Sequence, residues 1–84
     1  MKSHTFRGLR YVIDIGTFDG FCEVPGHAAR RLHIREDQTP LQFLEAAIHE
    51  AMHAEDKDVP ERVVDRRARS MARWLWRLGY RRGE

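Results

Sequence analysis

Thr39-Pro40-Leu41-Gln42-Phe43-Leu44-Glu45-Ala46-Ala47-Ile48-His49-Glu50-Ala51-Met52-His53 is the stretch on which the reading of this chain turns. Thr39 can cap a helix, Pro40 suits the first helical position, and Gln42 completes a Thr-x-x-Gln capping box. Leu41, Leu44, Ile48 and Met52 then recur at helical spacing as one apolar stripe, with Ala47 and Ala51 beside it to allow close approach. The run Glu55-Asp56-Lys57-Asp58 breaks the pattern, so the spacing predicts a helix over about 40–55. Beyond it, Asp58 and Glu61 offer a cap near Pro60. Val64, Ala68, Met71, Leu75 and Leu78 mark a second buried stripe, and Gly79 is a C-terminal stop, which predicts a helix over about 59–78. The short connection makes the two helices antiparallel neighbours.

Upstream of 39 the period changes from helical to alternating. Arg10-Tyr11-Val12-Ile13-Asp14-Ile15 is rich in β-branched and aromatic residues, Phe21 to Val24 is stopped by Pro25-Gly26, and Arg31-Leu32-His33-Ile34-Arg35 alternates with period two. These predict three strands within about 9–35, joined as a meander. The expected fold is therefore α+β: one domain over 1–84, with a small three-stranded antiparallel sheet packed on two antiparallel helices.

Composition narrows the class further. At 84 residues, with 42% hydrophobic and 33% charged side chains, a second domain has no room, and folding buries a modest share of the chain's surface. Reinforcement is expected, and the single cysteine, Cys22, excludes an internal disulfide. A metal or self-association remains. No apolar run reaches the roughly 18 residues of a membrane span. The opening MKSHTFRGLR also lacks the apolar core of a secretion signal, so the expectation is a cytoplasmic protein without a membrane span.

The metal has candidate ligands. His49-Glu50-x-x-His53 places two imidazoles four residues apart on one helix face, about 6 Å from each other, where both can reach one ion. Zinc takes neutral imidazole nitrogens, and a catalytic zinc keeps three protein ligands and an open position. Glu50 is then placed to act as general base. Three carboxylates compete for the third position. Asp56 follows His53 on the same helix and would crowd the pair, which suits it better to orienting an imidazole. Glu61 and Asp65 share one flank of the second helix. Glu61 lies nearer the level of His53 and reaches further, making it the favoured ligand, while Asp65 comes level with His49 as the alternative ligand or as the acceptor of that residue's free N–H.

The motif with Glu61-x-x-x-Asp65 after it resembles the gluzincin clan of zinc metallopeptidases. Leu44-Glu45-Ala46-Ala47-Ile48-His49-Glu50 and Leu75-Trp76-Arg77-Leu78-Gly79-Tyr80 look similar to small phage and bacterial zincin-like proteins. The resemblance implies a Zn²⁺ cofactor held by His49, His53 and Glu61, with Asp65 supporting His49. It also implies hydrolysis of a peptide or protein substrate laid along an edge strand, here the 31–35 strand. The interval from His53 to Glu61 is much shorter than in full-sized gluzincins, so their substrate pockets do not transfer.

A second reading, of another class, is a non-catalytic zinc-stabilised interaction module whose Arg/Trp-rich C-terminal helix binds protein or nucleic acid. Residues 59–84 hold 8 basic and 3 acidic side chains. Arg62, Arg66, Arg69, Arg73 and Arg77 fall opposite the apolar stripe and are read as a solvated face in preference to a nucleic-acid site. Trp74, Trp76 and Tyr80 are read as core-edge packing or a surface for homo-oligomer formation. His4, His27 and His33 are read as isolated surface or strand residues, and Cys22 as a small buried hydrophobe.

Overall fold

A computed structural model describes residues 2–16 and 30–82. Its elements run β1 (Lys2–Phe6), β2 (Leu9–Gly16), β3 (Arg30–Arg35), α1 (Pro40–Glu55) and α2 (Glu61–Arg77). The α+β class and three-stranded sheet agree with the expectation, and the strands expected over 10–15 and 31–35 are β2 and β3; β1 is an addition, and one strand pair runs parallel. β1 pairs antiparallel with β2 through the two-residue turn Arg7-Gly8, and both turn residues have positive φ, 50° and 76°. That is the conformation whose twist suits a tight hairpin, and glycine adopts it at no steric cost. β1 has an almost wholly exposed burial pattern, so hydrophobic alternation does not reveal it.

β2 and β3 pair parallel, with Ile13 beside Leu32 and Ile15 beside Ile34. The antiparallel meander is thus corrected to a mixed sheet of order β1-β2-β3. Residues 17–29 separate the two strands, and a parallel pair needs a separation of about a dozen residues or more, whereas a hairpin needs two. The strand expected over 21–24, together with Cys22 and His27, lies outside the described residues.

α1 starts as its capping box dictates: Gln42 N–H donates to Thr39 Oγ1 at 3.2 Å and Thr39 N–H donates to Gln42 Oε1 at 3.1 Å. The helix packs on the sheet, where Leu32 and Ile34 are buried, and α2 packs on α1. Among the described elements, α1 alone meets both. The sheet is therefore packed on one helix, and the second lies beyond it.

α2 departs from expectation at both its start and its buried face. Asp58 does not cap it; Asp58 N–H donates to Asp56 Oδ1 at 3.1 Å, and the helix starts from Pro60, whose carbonyl accepts from Val63 and Val64. Val64, Ala68 and Ala72 form the buried line, while Met71 and Leu78 are 48% and 56% exposed. Small residues four apart let α1 approach closely and set the rotation of α2, turning the larger pair outward. The C-terminus closes as a Schellman turn: Gly79, at φ 95°, donates to Trp76 O, and Tyr80 donates to Leu75 O. Arg81 then stacks on Trp76 at 3.4 Å.

This packing makes a prediction. Ala68→Leu forces a larger side chain into the helix contact and costs about 1–3 kcal/mol. The melting temperature falls by about 4–8 °C for each of those kcal/mol. Leu78→Ala, on the exposed side, leaves the thermal melt nearly unchanged. Equal melts for the two variants would refute the rotation described for α2.

Candidate metal centre

One turn of α1 separates His49 from His53, and their half-buried rings have centroids 4.8 Å apart at an interplanar angle of 52°. After the connection over 56–60, α2 returns with Glu61 as its first residue. Glu61 Oε1 lies 2.6 Å from His49 Nε2, and Glu61 Oε2 lies 2.8 Å from His53 Nε2. One turn on, Asp65 Oδ1 lies 2.9 Å from His49 Nδ1. Ascending α1 and descending α2 therefore run side by side, which makes the helices antiparallel.

Proton counting defines what this arrangement can hold. A carboxylate only accepts, so the contact with Asp65 is made by an N–H at His49 Nδ1. A neutral His49 then has a lone pair on Nε2, and that lone pair faces Glu61 and His53 Nε2, the latter 3.1 Å away. Two ring nitrogens and a bidentate carboxylate converge on one point. Such a set needs either extra protons or a cation between its members. The donor atoms of His49, His53 and Glu61 all lie within 4.8 Å of one another.

The residues fit zinc. Ligands at about 2.0–2.1 Å in tetrahedral array stand about 3.4 Å apart, close to the spacing of the two imidazole nitrogens. Glu61 sits nearer than that, and its side chain, 63% exposed, has room to withdraw. Two carboxylates beside two neutral imidazoles also give the charge that suits a divalent ion. His53 lies in the last turn of α1, where the helix dipole adds partial negative charge, and the run Glu55-Asp56-Lys57-Asp58 that follows is net acidic.

Of the residues singled out in the sequence, the structure gathers His49, His53, Glu61 and Asp65. Asp56 is at the C-cap of α1, its carboxylate accepting from Asp58 N–H, and it does not meet the imidazoles. Glu50 is half-buried and follows His49 on α1, about 100° round the helix from it. Elsewhere His33 Nδ1 stands 3.6 Å from Asp14 Oδ2 across the parallel pair, and His4 packs edge-on against Phe6.

A feature without a sequence signal is an open cavity of about 470 Å³ beside His49, walled by Arg35 at the end of β3, by Asp37 after it and by Gln42 and Glu45 on α1. Residues from two elements meet there only through the packing of α1 on β3. Arg35 forms a two-point contact with Asp37 at 3.0 and 2.8 Å, and these hydrogen bonds hold the Asp37 carboxyl below the usual carboxylate range.

No family model, curated protein or solved structure matches this chain. The cluster's own chemistry is therefore what bears on function.

Proposed function

We propose that this chain is a zinc-dependent metallopeptidase that hydrolyses peptide bonds, with His49, His53 and Glu61 as ligands, Asp65 orienting His49, and Glu50 as general base. The observation that carries the reading is the double contact of Glu61 with both Nε2 atoms, while Asp65 occupies the opposite nitrogen of His49. Asp65 holds His49 in the tautomer that leaves Nε2 free to ligate. Zinc, when bound there, would supply a Lewis acid for the scissile carbonyl and a lowered pKa for the attacking water. Glu50, the residue after His49 on α1, would be the general base of that chemistry, its carboxylate taking up a proton and returning it to the leaving amine. β3 lies at an edge of the described sheet, and its end at Arg35 borders the cavity beside His49. An extended substrate adding to β3 by main-chain hydrogen bonds would run into that cavity.

Zinc content tests the ligand set. Purified protein is expected to carry one zinc per chain by elemental analysis, and His53→Ala and Glu61→Ala are expected to lose it. Asp65→Ala keeps zinc with affinity lowered about 10- to 100-fold, as for other residues that orient a ligand. Retention in Glu61→Ala with loss in Asp65→Ala would exchange the two roles, and metal-free wild-type protein would refute the centre.

A second reading keeps the zinc as a purely structural tie in a non-catalytic interaction module. Its support is the outward apolar surface of the C-terminal region, where Met71, Trp74, Leu78 and Tyr80 are 48–63% exposed. Glu50→Gln, which removes the base and spares the ligands, separates the two readings.

A further inference from the structure

We infer that the outer flank of α2 is a docking surface for an anionic lipid membrane, on which the helix lies flat. Met71, Trp74 and Leu78 stand at i, i+3 and i+7, one continuous stripe on the helix, and are 48%, 62% and 56% exposed. Of the two expectations for Trp74, core-edge packing or a surface for self-association, the first does not hold, because Val64, Ala68 and Ala72 take the contact with α1 and turn this stripe to the outside. Beside it, an open groove of about 400 Å³ is lined by Arg66, Arg69, Ser70, Arg73, Trp74 and Arg77.

Charge decides the kind of partner. Residues 66–82 hold seven arginines and no aspartate or glutamate. Arg66, Arg69, Arg73 and Arg77 form no ion pair among the described residues. A face that serves solvation alone usually intersperses both signs, because like charges at i, i+4, such as Arg69, Arg73 and Arg77, repel. An anionic surface removes that repulsion. Three large apolar side chains beside the arginines then select a surface that offers both negative headgroups and an acyl boundary, with tryptophan favoured at that depth. A nucleic acid would account for the arginines and Trp74 but would leave Met71 and Leu78 in water. No helix of the described residues is long and apolar enough to cross a membrane, and α2, 17 residues with six arginines, is suited to lying on one. The inference is independent of the metal centre.

The test is co-sedimentation of the full-length chain with vesicles of phosphatidylcholine alone or with a quarter phosphatidylglycerol, at low and high salt. Binding is expected only to the anionic vesicles, falling with salt, with a blue shift of tryptophan fluorescence that disappears in Trp74→Phe and persists in Trp76→Phe. Each of Arg66→Gln, Arg73→Gln and Arg77→Gln weakens binding about fivefold. Trp74→Ala and Leu78→Ala each weaken it about tenfold. Apart from Trp76, which is half-buried, these side chains are exposed, and circular dichroism checks that every variant folds. Equal binding to neutral vesicles, no binding to either, or tighter binding to a single-stranded oligonucleotide at the same salt would each overturn the inference. So would a concentration-dependent dimer that Leu78→Glu dissociates, since a second copy would then cover the stripe.

Discussion

Removal of zinc by a chelator is expected to lower the melting temperature of this protein by roughly 15 to 30 °C. The described core is slight: Leu32, Ile34, Ala54, Val64, Ala68 and Ala72 are the buried hydrophobic residues, and half of them are alanines. α2 is tied to the rest chiefly through α1, so a ligand set drawn from both helices links the two elements most easily separated. An ion bound only by the folded chain, at a free concentration about 1,000 times its Kd, stabilises by about 4 kcal/mol. For a domain of this size each kcal/mol moves the melting temperature by about 4–8 °C. The measurement is a thermal melt with and without chelator, repeated on His49→Ala, which should melt at the chelated temperature in both conditions. If chelator leaves the wild-type melt unchanged, zinc does not tie the helices, and both the catalytic and the structural readings fall.

The second large effect separates those readings. Glu50→Gln is expected to keep one zinc per chain and the wild-type melting temperature while reducing cleavage of an unfolded, fluorescently labelled protein by about 10²- to 10⁴-fold, the usual contribution of a positioned base. Glutamine preserves size and polarity but cannot take up the water's proton. Glu50 stands outside the contacts that bind His49 to Glu61 and Asp65, so the substitution spares the ligand set. Cleavage by Glu50→Gln at the wild-type rate would remove Glu50 from the chemistry. Absence of cleavage by both forms, with zinc retained, would leave the structural tie.

The outline of α1 was legible because everything that makes it is local. Thr39, Pro40 and Gln42 lie within four residues of one another, and the alignment of His49 with His53 follows from helix geometry alone. The capping logic failed at α2, where Asp58 is drawn into the turn by Asp56. Its stripe held at Val64 and Ala68 and failed at Met71 and Leu78, which match the helical period as well as Ala72 does; which line is buried depends on the surface of the partner helix. β1 was hidden because it is almost wholly exposed; its one signal was Gly8, at a turn position that tolerates positive φ.

The same division runs through the candidate site. His49, Glu50 and His53 belong to a five-residue motif, and the chain order by itself determines that the two imidazoles share a face. The sequence also limits the third position to a few carboxylates. Only the tertiary structure separates their positions, setting Glu61 against both Nε2 atoms and Asp65 against Nδ1 while Asp56 closes a turn. It likewise decides that β2 and β3 run parallel and that Trp74 faces outward. The physical reason is range. Capping and i, i+4 alignment act within one or two helical turns, whereas strand direction, helix rotation and the meeting of two helices follow from which distant surfaces fit most closely.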